Sequence, residues 1–366
     1  MREGGRSIIH LDLGDPAFPT PPHIVEAAYR ALRGGYTHYT ESRGLPEFRA
    51  AVAEREGSIG LEVDPDGEVM ATLGASFAIY LVLLAFVKPG DEVVVPSPCW
   101  FVYPEAVRLV GGRCVYVNFG DEYRVDAGVE EALKEAVSDK TRMLIVNSPH
   151  NPTGGVLDVD AIKLLRDIAV DHDLLILSDE IYRSILYDGA RHVSIATLPG
   201  MWGRTIVVNS LSKTYAMSGW RIGYILAPRE FIDEMARLQL IIATCPSSFV
   251  QVAAAEALRG SQECVEELVR RYDEARRAAM EILGELEGVR LTKPRGAFYL
   301  FPELSEYGWD STSLANALRE KAGVSVMPGS MFGPGGEYHI RISYACPLPQ
   351  VVEGVSRIAR FLRGLS

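Results

Sequence analysis

The chain has little cysteine, no long apolar run and no excess of positive charge, and each shortage removes a class of protein. Its five cysteines, Cys99, Cys114, Cys245, Cys264 and Cys346, are odd in number and include no Cys-x-x-Cys or zinc-like spacing. Free, buried thiols are expected, not a disulfide scaffold or a zinc module. The longest apolar run, Phe77 to Val87, is too short to span a bilayer, and the opening MREGGRSIIHLDLG holds no apolar core of signal-peptide length. A soluble, cytoplasmic protein with no membrane partner is expected. A net charge of −11, with no Lys/Arg cluster interleaved with aromatics, argues against nucleic acid. Internal repeats and low-complexity segments are absent too, so 366 residues are enough for one large and one smaller domain.

What is present is a regular alternation. Strands are expected at Glu68–Leu73, Glu92–Pro96, Cys114–Phe119, Met143–Asn147, Leu174–Ser178, Thr205–Val208 and Ile222–Ala227, with helical segments such as Phe77–Val87 and Asp160–Asp171 between most of them. That order predicts an α/β fold with a mainly parallel seven-stranded sheet flanked by helices. Only about a dozen residues separate Val208 from Ile222, which is marginal for a parallel crossover. The last strand is therefore expected to be antiparallel. Upstream, helices are expected at about His23–Arg33, with Ile24, Ala27, Ala28 and Leu32 on one face, and at Glu47–Glu56. After Gln239 the chain reads as helix, and Gln262–Leu286 is long enough to bridge two domains. Val289–Phe301 reads as a hairpin, followed by a helix, two short strands and a closing amphipathic helix, Pro349–Leu365. The expected division is a large domain of residues 34–265 and a smaller α+β domain of residues 1–33 with 266–366.

The chemistry-bearing residues gather at the ends of the expected strands, where open α/β sheets bind ligands. Just past Val208 comes NSLSKTYAMSGWRIG, residues 209–223, with Ser210, Ser212, Lys213 and Arg221 inside a dozen positions. An amine that can form an imine, two hydroxyls and a fork-shaped cation suit a phosphorylated aldehyde; a basic loop beside a strand is the plainer alternative. Asp179 follows four apolar residues in LLILSDEIY, as a ligand group or as a helix cap. Asn151 lies in the polar turn NSPHNPTG. Ala75 and Ser76 open a helix whose free N–H groups suit phosphate, although Ser76 alone is also an ordinary cap. Trp100 ends another strand, either to stack on a ring or to fill the core.

Together, LDLGDPAFPTP, YTESRGLPEFR, TLGASFA, PSPCWFVYPE, NSPHNPTGG, LSDEIY, NSLSKTYAMSGWRIGY, RGAFY and MPGSMFGPGGEYHIRISYA resemble, in order and over nearly the whole chain, the fold-type I pyridoxal-phosphate enzymes. The match is with the class I and II aminotransferases of the aspartate aminotransferase family, nearer its bacterial and archaeal branch. The resemblance implies pyridoxal 5'-phosphate as cofactor, with Lys213 as the imine-forming lysine and proton carrier, and Asp179 on the pyridine nitrogen. It implies Asn151 and Tyr182 on the ring oxygen, Trp100 against the ring, and Ala75, Ser76, Ser210, Ser212 and Arg221 on the phosphate. Gly14 and Arg341 would hold the substrate α-carboxylate. Tyr39 would reach the phosphate of a neighbouring subunit, which implies a homodimer with shared sites. Ser97-Pro98 and Asn151-Pro152 are expected to be cis.

Two departures bear on activity. Only about ten residues precede the Leu-Asp-Leu-Gly run, where many relatives carry a longer arm that helps close the site. Ser76 also stands where many acid-preferring relatives have lysine, and Leu238–Gln251 has no basic residue to read a second carboxylate; Arg43 or Arg295 could substitute. The expected reaction is transamination between an L-amino acid, with neutral or aromatic ones favoured and aspartate possible, and a 2-oxo acid such as 2-oxoglutarate. The competing expectations are a β-lyase, decarboxylase or small-ring synthase on the same scaffold, a strict aspartate aminotransferase, or a ligand-sensing regulator, for which no segment is left to bind DNA.

Overall fold

The computed structural model describes residues 2, 3 and 6–365. Its centre is a seven-stranded sheet made of β1 (Val69–Thr72), β2 (Glu92–Ser97), β3 (Arg113–Asn118), β4 (Thr141–Asn147), β5 (Leu175–Asp179), β6 (Thr205–Ser210) and β7 (Gly223–Leu226). Across the sheet the order is β1-β7-β6-β5-β4-β2-β3. Strand β7 runs antiparallel to both neighbours, β1 and β6, and the other pairs are parallel. The short link from Ser210 to Gly223 cannot carry a crossover, so the chain turns back on itself, and that turn holds Lys213.

Every residue of β1, β2, β5, β6 and β7 is buried, because helices cover both faces of the sheet. One face packs Val93, Val95, Ile145, Leu177 and Ile206 against Ala78, Ile79, Val82 and Met235. Strand β3, at the edge, is mostly exposed or half-buried and begins with Arg113, a charge that blunts edge pairing. In the parallel register Asn147 stands beside Asp179. Two polar side chains thus share one end of the sheet.

A second core surrounds the three-stranded sheet of Tyr299–Leu300, Ile340–Ser343 and Met327–Pro328. It includes Tyr272, Phe298, Leu314, Ile342, Val355 and Ile358. The helix Glu263–Gly284 joins the two cores: its Val265 packs with the large sheet, whereas Leu268, Tyr272 and Ala279 belong to the second.

Several local expectations need correction. The apolar face of helix Pro22–Arg33 runs through Ala31, and Leu32 is exposed. This helix, placed by the boundary at residue 33 with the small unit, packs its Ile24, Ala27 and Ala28 into the large-sheet core with Phe48, Val69 and Tyr224. Helix Arg229–Ile242 stops at a bend containing Pro246 and Thr244, which has a positive φ of 63°, before helix Ser248–Arg259 starts. The hairpin over residues 289–301 is replaced by a single bridge between Arg290 and Glu303, and Tyr299–Leu300 pairs with Ile340–Ser343. Cys99 and Cys346 are buried, the other three cysteines are half-buried, and all five are free. The Ser97–Pro98 and Asn151–Pro152 bonds are cis, as is Ser148–Pro149. Among the described residues, no helix is long and apolar enough to cross a membrane.

Candidate active site

At the carboxyl end of the sheet, the turn after β6 forms one short helix, Leu211–Thr214. Ser210 caps it: its Oγ accepts the Ser212 N–H at 3.0 Å and donates to Ser212 Oγ at 2.7 Å. This fixes Lys213 so that its side chain enters a cavity of about 300 Å³, lined also by Gly14, Ala75, Ser76, Trp100, Asn151, Asp179, Tyr182, Ser212, Arg221 and Arg341. Thus eleven of the thirteen residues singled out from sequence share one cavity. Ser210 is not among its lining and stands behind Ser212. Tyr39 is the other exception, 86% exposed on the surface and outside the cavity.

Lys213 Nζ donates to the Gly14 carbonyl. Burial lowers its pKa to about 8, Arg341 and Arg221 push the same way, and Asp15 opposes them. A buried amine held this close to neutrality is a usable nucleophile and proton carrier. Asp179 at the end of β5 shows the opposite shift. Burial raises its carboxyl to about 6, against bonds from the Tyr103 hydroxyl at 2.7 Å and the Ile181 N–H at 3.2 Å. A carboxylate so desolvated favours a cationic partner inside the cavity.

The opposite wall is built around Arg341. Its Nη2 donates to the Asp12 carbonyl at 2.7 Å and its Nη1 to Asn151 Oδ1 at 3.1 Å, while Nε is buried without a partner. The guanidinium lies between the rings of Tyr299 and Phe332, at 4.4 and 5.0 Å. Because Asn151 Oδ1 is occupied by Arg341, its Nδ2 is left as a donor. The Asn151 N–H in turn binds Asn147 Oδ1 at 3.1 Å, and Asn147 Nδ2 binds the Asp179 carbonyl at 3.0 Å. Asn147 therefore ties the Asn151 turn to the Asp179 strand end.

The third wall has donors that could hold an anion. Gly74 adopts a positive φ of 83° before the helix Ala75–Phe86, and a Cβ there would lie 2.6 Å from Arg221 Nη2. Arg221, itself left-handed at φ 55°, is anchored to the Ser218 and Leu73 carbonyls at 2.8 and 3.1 Å. Its guanidinium, the hydroxyls of Ser76 and Ser212 and the free N–H groups of the helix start converge there. Ser76 and Arg221 are exposed, so this end of the cavity is open in the single chain.

Sequence reasoning passed over Tyr103, Tyr299 and Asn147. Tyr103 sits three residues after Trp100 and packs edge-on against it at 5.5 Å, but its partner Asp179 is 76 residues away and no local pattern links them. Tyr299 pairs its hydroxyl with that of Tyr182 at 2.8 Å. Asn147 could have been found, since it ends a strand as Asp179 does. Neither cation held in reserve lines the cavity: Arg43 pairs with Asp233, and Arg295 is exposed.

The same arrangement of elements recurs in known proteins. The structure superposes with a TM-score of 0.94 on the crystal structure of an aromatic aminotransferase from Pyrococcus horikoshii OT3, 44% identical, over 98% of this chain and 97% of that one. In sequence, the chain is 44% identical to an aspartate aminotransferase of Pyrococcus abyssi, over 98% of this chain and 93% of that protein. It is 43% identical to aromatic-amino-acid aminotransferase 2 of Thermococcus litoralis, over 99% of this chain and 94% of that protein. Residues 6–358 match the family described as aminotransferase class I and II. With that match along nearly its whole length, and relatives this similar end to end, the chain belongs to the class I and II aminotransferases and is a transferase enzyme.

Proposed function

We propose that this enzyme moves the amino group of a neutral or aromatic L-amino acid, with aspartate a poorer donor, to a 2-oxo acid such as 2-oxoglutarate, using pyridoxal 5'-phosphate. The observation that carries this reading is the single cavity in which Lys213, Asp179, Arg221 and Arg341 converge. The residues present fit the cofactor: the Gly74 cradle suits a phosphate, buried Asp179 suits a cationic ring nitrogen, and Asn151 Nδ2 suits a ring oxygen. When bound, the cofactor supplies a ring that accepts electrons as the α-proton leaves.

The chain's own groups do the rest. Arg221, Ser212, Ser76 and the N–H groups at Ala75 bind phosphate, with Ser210 holding Ser212 in place. Asp179, steadied by the Tyr103 hydroxyl, would face the ring nitrogen and favour its protonated form. Tyr182 and Asn151 would donate to the ring oxygen, and Trp100 would stack against the ring. Arg341 takes the substrate carboxylate as a bidentate partner beside Gly14. Lys213 Nζ, held close to neutrality by burial, carries the proton away from the α-carbon.

Donor preference follows from the cations. Among the described residues lining the cavity, the basic ones are Lys213, Arg221 and Arg341, each already given a role, while Leu13, Phe101 and Met327 add apolar surface. A missing charge-assisted bond to a second carboxylate corresponds to about ten- to a hundredfold in discrimination.

The proposal includes a homodimer, with Tyr39 serving the neighbouring site. Its support is the open phosphate end, the exposure of Tyr39 and a run of exposed apolar residues, Leu240, Ile241 and Ile242. It also includes two domains, with helix Pro22–Arg33 assigned to the large one.

The test is transfer of isotope-labelled amino nitrogen to 2-oxoglutarate, with kcat/KM measured for phenylalanine, methionine, alanine and aspartate. Labelled glutamate from phenylalanine is expected. Labelled ammonia without labelled glutamate, or release of carbon dioxide, would instead indicate a lyase or decarboxylase. A preference for aspartate above about a hundredfold would overturn the cation argument.

A further inference from the structure

The hydroxyls of Tyr182 and Tyr299 lie 2.8 Å apart, and both side chains are buried. Each hydroxyl has one proton and two acceptor sites. A pair in contact commits one proton to the bond between them and leaves the other free. Which proton is free decides what Tyr182 can do. If Tyr299 donates, Tyr182 keeps its own proton for another acceptor. If Tyr182 donates, it has none to give.

The surroundings favour Tyr299 as donor. Tyr299 is on a strand registered against Ile340–Ser343, and the Arg341 guanidinium carbon of that neighbouring strand lies 4.4 Å from its ring centroid. A cation over a phenol ring draws electron density from the hydroxyl and makes it the stronger donor. The position is also tightly held, because a Cβ on Gly14 would lie 2.5 Å from Tyr299 Oη. Arg341 also acts on Tyr182, where burial, Tyr299 and Asp179 oppose it, and Asp15 acts on Tyr299; the ring contact of Arg341 is with Tyr299.

We propose that Tyr299 is a positioning residue that donates its hydroxyl proton to Tyr182, so that the Tyr182 proton is aimed at the ring oxygen of the bound cofactor. The inference rests on the cofactor reading above. A hydroxyl that accepts one bond is a stronger donor in the next, so Tyr299 strengthens the bond by which Tyr182 favours the deprotonated cofactor.

The test is a pH titration of the visible absorbance of the holoenzyme without substrate, for wild type, Tyr299→Phe, Tyr182→Phe and the double variant. Tyr299→Phe is expected to raise the midpoint by about half to one pH unit, and the double variant to titrate with Tyr182→Phe alone. A fall in the midpoint would mean that Tyr182 is the donor and overturns the proposal. An unchanged midpoint, or shifts that simply add in the double variant, overturns it as well. Should Tyr299→Phe lose the cofactor, fluorotyrosine at position 299, a stronger donor, must lower the midpoint, and a rise or no change overturns the proposal. If wild type itself takes up no pyridoxal phosphate and shows no visible band, it is the cofactor reading that fails.

Discussion

At the scale of single residues, the site is a set of burial costs waiting for partners. Asp179 is raised to about 6 from the ordinary 3.8, chiefly by burial. Its sign is that of a destabilising charge. The folded state binds the proton more tightly, so this contribution is full below about pH 4 and is lost as pH rises through about 6. In the cofactor-free protein, Asp179→Asn is therefore expected to be stabilising at neutral pH, by up to about 3 kcal/mol, with the gain vanishing near pH 4. Thermal melts at both pH values check this. In the holoenzyme the same change should lower turnover by about a hundredfold or more if Asp179 is the partner of the ring nitrogen, as proposed. That Asp179, Lys213 and Asn151 share one cavity was legible, because they stand at strand ends. Tyr103 and Tyr299 were not, because their meaning depends on contacts between distant parts of the chain.

At the scale of elements, the junction between β1 and the helix Ala75–Phe86 builds the cradle proposed for phosphate. Gly74 is needed twice over, for its positive φ and for the space Arg221 fills. Gly74→Ala should strain the turn and displace the guanidinium, raising the cofactor dissociation constant by about tenfold or more with little change in fold. Cofactor retention during dialysis, followed by absorbance, would show it; unchanged retention would remove Arg221 from the phosphate site. The strands were readable because they are short apolar runs between turns, and the antiparallel β7 followed from a link too short to cross over. The bend at Thr244 was readable, and the lost hairpin at Pro294 was not. Pro246 marks a break in the helix, and at residues 289–301 the turn signal is present, but the pairing of Tyr299–Leu300 with Ile340–Ser343 is decided by packing with distant elements.

For the whole molecule, the proposed homodimer rests on exposed apolar residues of the single chain. Ile241 is 83% exposed and its neighbours Leu240 and Ile242 55% and 46%, at the end of helix Arg229–Ile242, and Tyr39 is 86% exposed. A homodimer that shares sites makes a sharp forecast. Tyr39→Ala and Lys213→Ala, each inactive alone, should recover part of the activity when mixed and allowed to exchange subunits, because one site of each hybrid carries neither lesion. Ile241→Asp should shift the protein toward monomer in light scattering. A wild-type monomer at working concentration would refute the shared site. The overall α/β architecture was legible from the alternation of strands and helices. The placement of helix Pro22–Arg33 on the large core was not, since its amphipathic face shows only that it packs, and not on what.

The central claim is that Lys213 is the group through which this enzyme holds its cofactor. Borohydride reduction of the pyridoxal-phosphate-loaded enzyme, followed by digestion and mass spectrometry, tests it most directly. A pyridoxyl-phosphate mass is expected on the peptide containing Lys213 and on no other lysine, and none in Lys213→Ala. Label on a different lysine, or none on Lys213 in an enzyme that still transfers amino groups, would contradict it.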